Sequence, residues 1–254
     1  MLVAKILVGF VVGILIGLSG VGGGVLLLPV LIFGLKVPAI TAVGSDALFN
    51  FFTKIPASLL HLKKGTVKGK VVIALAVGSV PGSICGVKLL MHIRHLYGDG
   101  VNNFIKTAIG ILLIIVPMLL LFQKKIEESV AHRPPTMKSF AGMSLIGLVA
   151  GFLVGMTSVG SGSIIMMLLL LFYSFPPKVN VGTDILHAVI LTGVTGLMHF
   201  RLGNVDPVLV VTLLIGSVPG GLIGSHLATR VPMLWLRRLL CALLLLTGAR
   251  MLWA

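Results

Sequence analysis

The sequence predicts an all-α, polytopic membrane protein made of two related units, and three observations carry that prediction. Of the 254 residues, 57% are hydrophobic and only 10% are charged, against about 25% charged in an ordinary soluble domain. Apolar stretches such as 71–91, 103–122 and 208–229 reach the roughly 18 residues that let a helix cross a hydrocarbon core about 30 Å thick. They lack the alternation of barrel strands. The third observation is a repeat. A shift of 138 positions, without insertion, carries Gly9, Gly13 and Gly17 onto Gly147, Gly151 and Gly155. It also carries Val43-Gly44-Ser45-Asp46 onto Val181-Gly182-Thr183-Asp184, His61 onto His199, and Gly78-Ser79-Val80-Pro81-Gly82 onto Gly216-Ser217-Val218-Pro219-Gly220.

The first unit, 1–122, opens with an apolar run broken at 19–24 by Ser, Gly and Val and resumed through 35. Two arms of about 20 and 16 Å are each short for a crossing, so 3–35 is expected to form a hairpin with the glycines at its tip. Unpaired backbone groups at membrane depth are tolerated only against protein or a water-filled cavity. The tip is therefore a site candidate. Pro38 suits a helix start, and a helix over about 38–62 carries Asp46, Asn50 and Lys54 on one face. Helices over about 70–91 and 103–122 complete the unit. The first of these has Gly78, Gly82 and Gly86 at the spacing of close helix contacts and a kink at Pro81.

Residues 123–139 read as the polar linker. The second unit, 140–254, repeats the order as a hairpin at 140–175 and helices over about 178–200, 207–229 and 234–252, making about ten helical segments in all. A hairpin returns to its starting side and three crossings are odd, so the second unit is expected to be inverted. Loop 63–70 carries four lysines, whereas 201–208 carries Arg201 offset by Asp206, as opposite faces would require. Placing loop 63–70 inside also puts Lys124, Lys125, Arg133 and Lys138 inside, with both termini outside. The start of the chain has the look of a secretory signal, but 140–156 is the same element in mid-chain, so the N-terminal copy is expected to be retained.

The net charge of +14 sits mainly in loops, which fits the positive-inside pattern and attraction to anionic lipid or solute; no nucleic-acid partner is expected. Cys85 and Cys241 lie in apolar spans unrelated by the repeat and read as buried hydrophobes, and no metal or cofactor site is expected. An enzyme is not expected either, since no nucleophile stands beside a base.

Discontinuous helices in inverted repeats are how many secondary transporters build a midplane substrate site. The second arms begin near Gly24 and Gly162, so their N-termini, with free N–H groups, point into the centre and favour an anion. Candidate substrate-binding residues are Ser19, Gly20, Gly22, Gly23, Gly24, Asn50, Lys54, Thr157, Ser158, Gly160, Ser161, Gly162 and Ser163. The stretch is neither a Walker loop nor a Rossmann fingerprint. For Gly9, Gly13, Gly147 and Gly151, tight helix crossing is the expected role. Asp46 and Asp184 lie roughly 12 Å into their helices, where an acid costs about 3 kcal/mol. Either they couple protons, or they accept bonds from the tips or pair with a buried cation. Lys54, which falls on Thr192 in the repeat, is a candidate to balance Asp46 or hold the anion. His187, one turn from Asp184, is a candidate proton carrier or hydrogen-bond partner, and His61 and His199 are expected as interface anchors or gates.

The Gly-x-Ser-Gly-Val-Gly-Gly-Gly at 17–24, Pro29, the Val-Gly-Ser-Asp and Gly-Ser-Val-Pro-Gly helices and the Gly-x-Thr-Ser-Val-Gly-Ser-Gly at 155–162 together resemble the TauE/SafE family, the sulfite exporters or 4-toluene sulfonate uptake permeases. The resemblance covers nearly the whole chain. It implies a prokaryotic inner-membrane carrier, or in some lineages an organellar one, for sulfite, sulfonates such as sulfoacetate, or other small organic anions. Two symmetric acids depart from the neutral Asn or Thr that the family pattern implies near those positions, which leaves the coupling ion and substrate open. The expected function is secondary transport, in the export direction, of a small sulfur-containing anion by alternating access, with proton coupling as one drive. An anion channel or a carrier of a non-sulfur organic anion is the alternative. Glycine-lined helix faces allow a homodimer in the bilayer.

Overall fold

The structure, a computed structural model, describes residues 2–19, 23–131, 139–172, 175–227 and 233–253. These residues are helical throughout apart from short connections, and no strand occurs among them. In chain order the helices are α1 (Leu2–Ser19), α2 (Gly23–Pro29), α3 (Ala39–Lys63), α4 (Gly69–Tyr97), α5 (Val101–Ala131), α6 (Phe140–Thr157), α7 (Ser163–Phe172), α8 (Pro177–Arg201), α9 (Pro207–Leu227) and α10 (Met233–Trp253). Among the described residues, four stretches are long and apolar enough to cross a bilayer: Gly69–Leu119, which holds α4 and most of α5, Phe140–Thr157, Lys178–Arg201 and Pro207–Leu227. Their outer surfaces are apolar, with Ile73, Val77, Ile111, Ile115, Leu145, Val149, Val211 and Ile215 exposed. That is the surface a hydrocarbon solvent requires.

The arms of the second hairpin are not both short for a crossing, contrary to the expectation for the hairpins. α6, at 18 residues, is long enough to cross on its own, while the returning arm α7 has 10 residues. The break at 158–162 sits near the end of the apolar run and divides it unevenly. In the first hairpin, α2 passes at Pro29 into a π-helical turn, Val30–Gly34. A proline cannot donate the regular bond, and the chain leaves the turn through Leu35 N–H to Val30 O (3.0 Å) and Val37 N–H to Leu31 O (2.9 Å). α5 runs to Ala131, past its expected end at 122, and no Gly or Pro lies between Pro117 and Pro134 to end it. The rest of the expected linker, 132–138, lies outside the described residues.

Packing exchanges partners between the two halves. α1 lies along α9 and α6 lies along α4, while α3 pairs with α8 and α5 with α10. Each contact maps onto another, or onto itself, under the 138-residue shift. Glycines make the two closest contacts. A Cβ at Gly9, Gly13 or Gly17 would strike the backbone of α9 at Leu213, Ser217 or Gly221. One at Gly147, Gly151 or Gly155 would strike α4 at Leu75, Ser79 or Ser83. The opposing faces answer in kind: Gly216, Gly220 and Gly224 meet Ile6, Phe10 and Ile14, and Gly78, Gly82 and Gly86 meet Ser144, Leu148 and Phe152. The close crossing expected for Gly9, Gly13, Gly147 and Gly151 is what these helices make. Smaller details repeat as well. Ser45 Oγ accepts the Asp206 N–H at 3.1 Å, and Thr183 Oγ1 accepts the Lys68 N–H at 3.1 Å.

The apolar interior has two parts. One gathers Leu27, Leu28, Leu31, Phe49, Leu90, Ile105, Ile109, Leu113 and Leu213. The other gathers Leu75, Val154, Ile165, Leu169 and Leu191 around α4, α6, α7 and α8. Between α3, α8, α4 and the α6–α7 tip the interior is polar.

Candidate functional site

Local chemistry shapes the second tip. α6 ends where Ser158 adopts φ +58°, its N–H returning to Val154 O at 2.7 Å. Gly160 follows at φ +96°, a conformation that side chains disfavour. Gly162 then starts α7, its carbonyl accepting the Met166 N–H at 3.0 Å. The polypeptide thus reverses within five residues and aims the N-terminus of α7 into the interior.

α3 reaches this tip with two side chains. Ser158 Oγ donates to Asp46 Oδ2 at 2.7 Å. Lys54 Nζ donates to Ser161 Oγ at 3.1 Å and Ser161 O at 3.3 Å. Between these contacts, Asn50 Nδ2 donates to the Asp46 carbonyl at 2.9 Å, leaving Asn50 Oδ1 buried without a partner. Asp46, Asn50 and Ser158 are fully buried, and Ser161 nearly so; Lys54 is half-buried. α8 closes the opposite wall with Asp184, 5% exposed, and His187, fully buried. His187 Nε2 meets Ser79 Oγ of α4 at 2.7 Å. Lys54 interacts electrostatically with both Asp184 and Asp46, but neither carboxylate forms an ion pair with it among the described residues.

A concentration of unpartnered buried polar atoms marks the site. Asp46 Oδ1, Asn50 Oδ1, Ser163 Oγ, Asp184 Oδ1 and His187 Nδ1 have no hydrogen-bond partner, and neither does Asn180 Oδ1 one turn before Asp184. Buried polar atoms are nearly always paired, so such a cluster calls for a ligand, a proton or water. No group of three or more His, Cys, Asp or Glu that would hold a metal occurs among the described residues. An apolar cavity of about 360 Å³ between α1, α2 and α10 contains none of these residues.

The chain as a whole matches known proteins. The family described as sulfite exporter TauE/SafE matches residues 5–251. The chain belongs to the TauE/SafE family. Within it, the chain is similar to the probable membrane transporter protein YjnA of Bacillus subtilis, 35% identical over 255 residues, 99% of this chain and 100% of the relative. The probable membrane transporter protein YunE of the same organism is 26% identical over 273 residues, 99% of this chain and 97% of the relative. A third probable membrane transporter protein, from Xylella fastidiosa, is 25% identical over 225 residues, 88% of this chain and 83% of the relative. No solved structure matches. This TauE/SafE chain is accordingly a multi-pass membrane protein and a membrane transporter.

Of the residues singled out from the sequence, the structure brings together Asp46, Asn50, Lys54, Ser158, Ser161, Asp184 and His187. Thr157 is adjacent, but its hydroxyl donates to Leu153 O at 2.7 Å and accepts Val159 N–H at 3.2 Å. Gly23 and Gly24 open α2. Ser19 ends α1, and Gly20 and Gly22 lie outside the described residues. His199 is fully buried, not at the water interface, because the turn after α8 folds Asn204 over it and its Nε2 meets Gly155 O at 3.1 Å. His61 meets Thr66 Oγ1 at 2.8 Å. Ser79 and Asn180 were missed as site residues. Ser79 stood in a motif whose glycines pointed to packing, and only its place opposite His187 reveals its second role.

Proposed function

We propose that this chain is a secondary transporter of a small sulfur-containing anion, working by alternating access about the α6–α7 tip and exporting down the anion's own gradient. One observation carries the proposal: the Lys54 ammonium donates to Ser161 Oγ and O at the tip that leads into the N-terminus of α7. A cation, hydroxyl donors and free N–H groups converging in a low-dielectric interior recognise an oxyanion. That chemistry defines an oxyanion class; sulfur enters from the family description. An inverted relation of the units 1–122 and 140–254 fits the exchanged packing, in which each half supplies the helices that the other half's hairpin lies on. Rocking one set of pairs against the other would open the site to either side in turn.

The test is binding of sulfite, sulfoacetate, taurine, sulfate and chloride to purified protein, read as a rise in melting temperature. The expected result is stabilisation by one sulfur oxyanion, abolished in Gly160→Leu. Stabilisation by chloride and sulfate alike would point to a non-selective anion path instead. Counterflow in liposomes separates carrier from channel, since only a carrier exchanges labelled for unlabelled anion faster than net flux.

A further inference from the structure

We infer that the anion travels with one proton and that Asp184, not its repeat partner Asp46, carries it. The inference rests on the anion-carrier reading above and assigns its coupling.

The two acids occupy equivalent positions in the repeat but differ in surroundings. Asp46 is engaged: Ser158 donates to its Oδ2 at 2.7 Å, which ties α3 to the second tip. Asp184 makes no side-chain hydrogen bond among the described residues, and its Oδ1 is buried without a partner. A bare carboxylate held this way costs several kcal/mol, and a proton gives it the donor it lacks. His187 follows one turn later on α8, its Nδ1 also buried and unpartnered. Residues three apart on a helix are neighbours, so the ring offers the protonated carboxyl an acceptor.

Charge decides the stoichiometry. Asp184 is faced from α3 by Lys54 and Asp46, whose charges act on one another through the shared cation. α6 and α7 carry no titratable residue. α4 presents Ser79, while its Lys70, Lys88, His92, Arg94 and His95 are exposed; His61 comes against α8 at Gly182, two residues before Asp184, where a Cβ would lie 2.9 Å from its Nδ1, and His199 lies at the far end of α8. With both acids ionised, Lys54 leaves a net negative site that repels an anion. A proton on Asp184 brings the three groups to neutrality, and the ammonium, which donates to Ser161 and not to a carboxylate, is left to receive the anion. A monoanion and a proton crossing together move no net charge. Their direction follows the sum of two gradients, so export proceeds where the outward anion gradient exceeds the inward proton gradient.

Purified protein in liposomes with a lumenal pH dye tests this, using labelled methanesulfonate, whose charge is constant over the physiological pH range, with sulfite beside it. With acid outside, the wild type should accumulate anion about tenfold per pH unit, acidify the lumen by one proton per anion, and ignore the membrane potential. Asp184→Asn should fall to an accumulation ratio of one while labelled anion still exchanges. Anion entry into wild-type liposomes without acidification overturns the inference, whatever the variants do. So does gradient-driven accumulation by Asp184→Asn. If the wild type exchanges no sulfur oxyanion at all, the carrier reading itself fails and this one falls with it.

Discussion

The two hairpins share one sequence pattern, yet the second tip carries hydroxyls at three positions where the first has none. Where the second tip has Ser158, Ser161 and Ser163, the first has Gly20, Gly23 and Val25. The asymmetry is complementary along the pairing of α3 with α8. The first unit's helix supplies Asn50 and Lys54, which reach the second tip, and the second unit's helix has Ala188 and Thr192 in their places. Thr192 spends its hydroxyl on Ala188 O at 2.6 Å. Glycine contacts and turn bonds recur in both halves because packing constrains them equally, whereas the polar side chains at the two tips differ.

The largest break in that asymmetry is Lys54→Met. Removing one partner of a hydrogen-bonded charge in such a site costs about 2–5 kcal/mol, so anion-dependent stabilisation should vanish in melting experiments. Thr192→Lys added to that variant should not restore it, because no Ser161 faces position 192. Binding that survives Lys54→Met would remove the anion site from the second tip. The symmetric framework gives the next test. A Cβ at Gly13 would lie 2.7 Å from Ser217 Cα, and one at Gly151 2.6 Å from Ser79 Cα. Gly13→Val and Gly151→Val should thus each destabilise by about 1–3 kcal/mol or more, and by similar amounts. A large inequality in melting temperature would show that the two crossings are not energetically equivalent. Ser158→Gly, which makes the second tip like the first, removes a charge-assisted bond and should cost about 1.5–3 kcal/mol. An unchanged melting temperature would mean that Asp46 finds another donor.

Much of this framework is legible in the sequence, because glycine spacing reports a close helix crossing directly: the period of four at Gly78, Gly82 and Gly86 needs no knowledge of the partner. The fully exchanged pairing is not legible, since Gly13 gives no sign that Ser217 lies against it. The site is readable in part. An ionisable residue in an apolar span is conspicuous, so Asp46, Lys54, Asp184 and His187 stand out. What separates Asp46 from Asp184 is a hydroxyl 112 positions away, a contact that no local pattern encodes. Ser79 and Asn180 escaped for the same reason, being ordinary small polar residues until α4 and α8 are placed together.

His61 and His199 give the smallest and most discriminating contrast. Both end the third helix of their unit, and each meets the residue five positions on, Thr66 or Asn204. The second has an added partner. A carbonyl only accepts, so His199 Nε2 carries the proton that it donates to Gly155 O, and Nδ1 is the nitrogen left to accept from Asn204. Asn204 is fixed in turn by Arg94 Nη1 at 2.7 Å to its Oδ1. His199 thus pins the neck of the second hairpin to α8 through a bond that replacement by leucine would leave unmade. A buried acceptor stripped of its donor costs about 1–3 kcal/mol, against about 0.5–1.5 kcal/mol for the ordinary bond of His61. His199→Leu should therefore lower the melting temperature more than His61→Leu. Equal losses would mean that the Gly155 bond contributes nothing beyond its cost, and that the second hairpin is held by its packing on α4 and its Asp46 and Lys54 contacts.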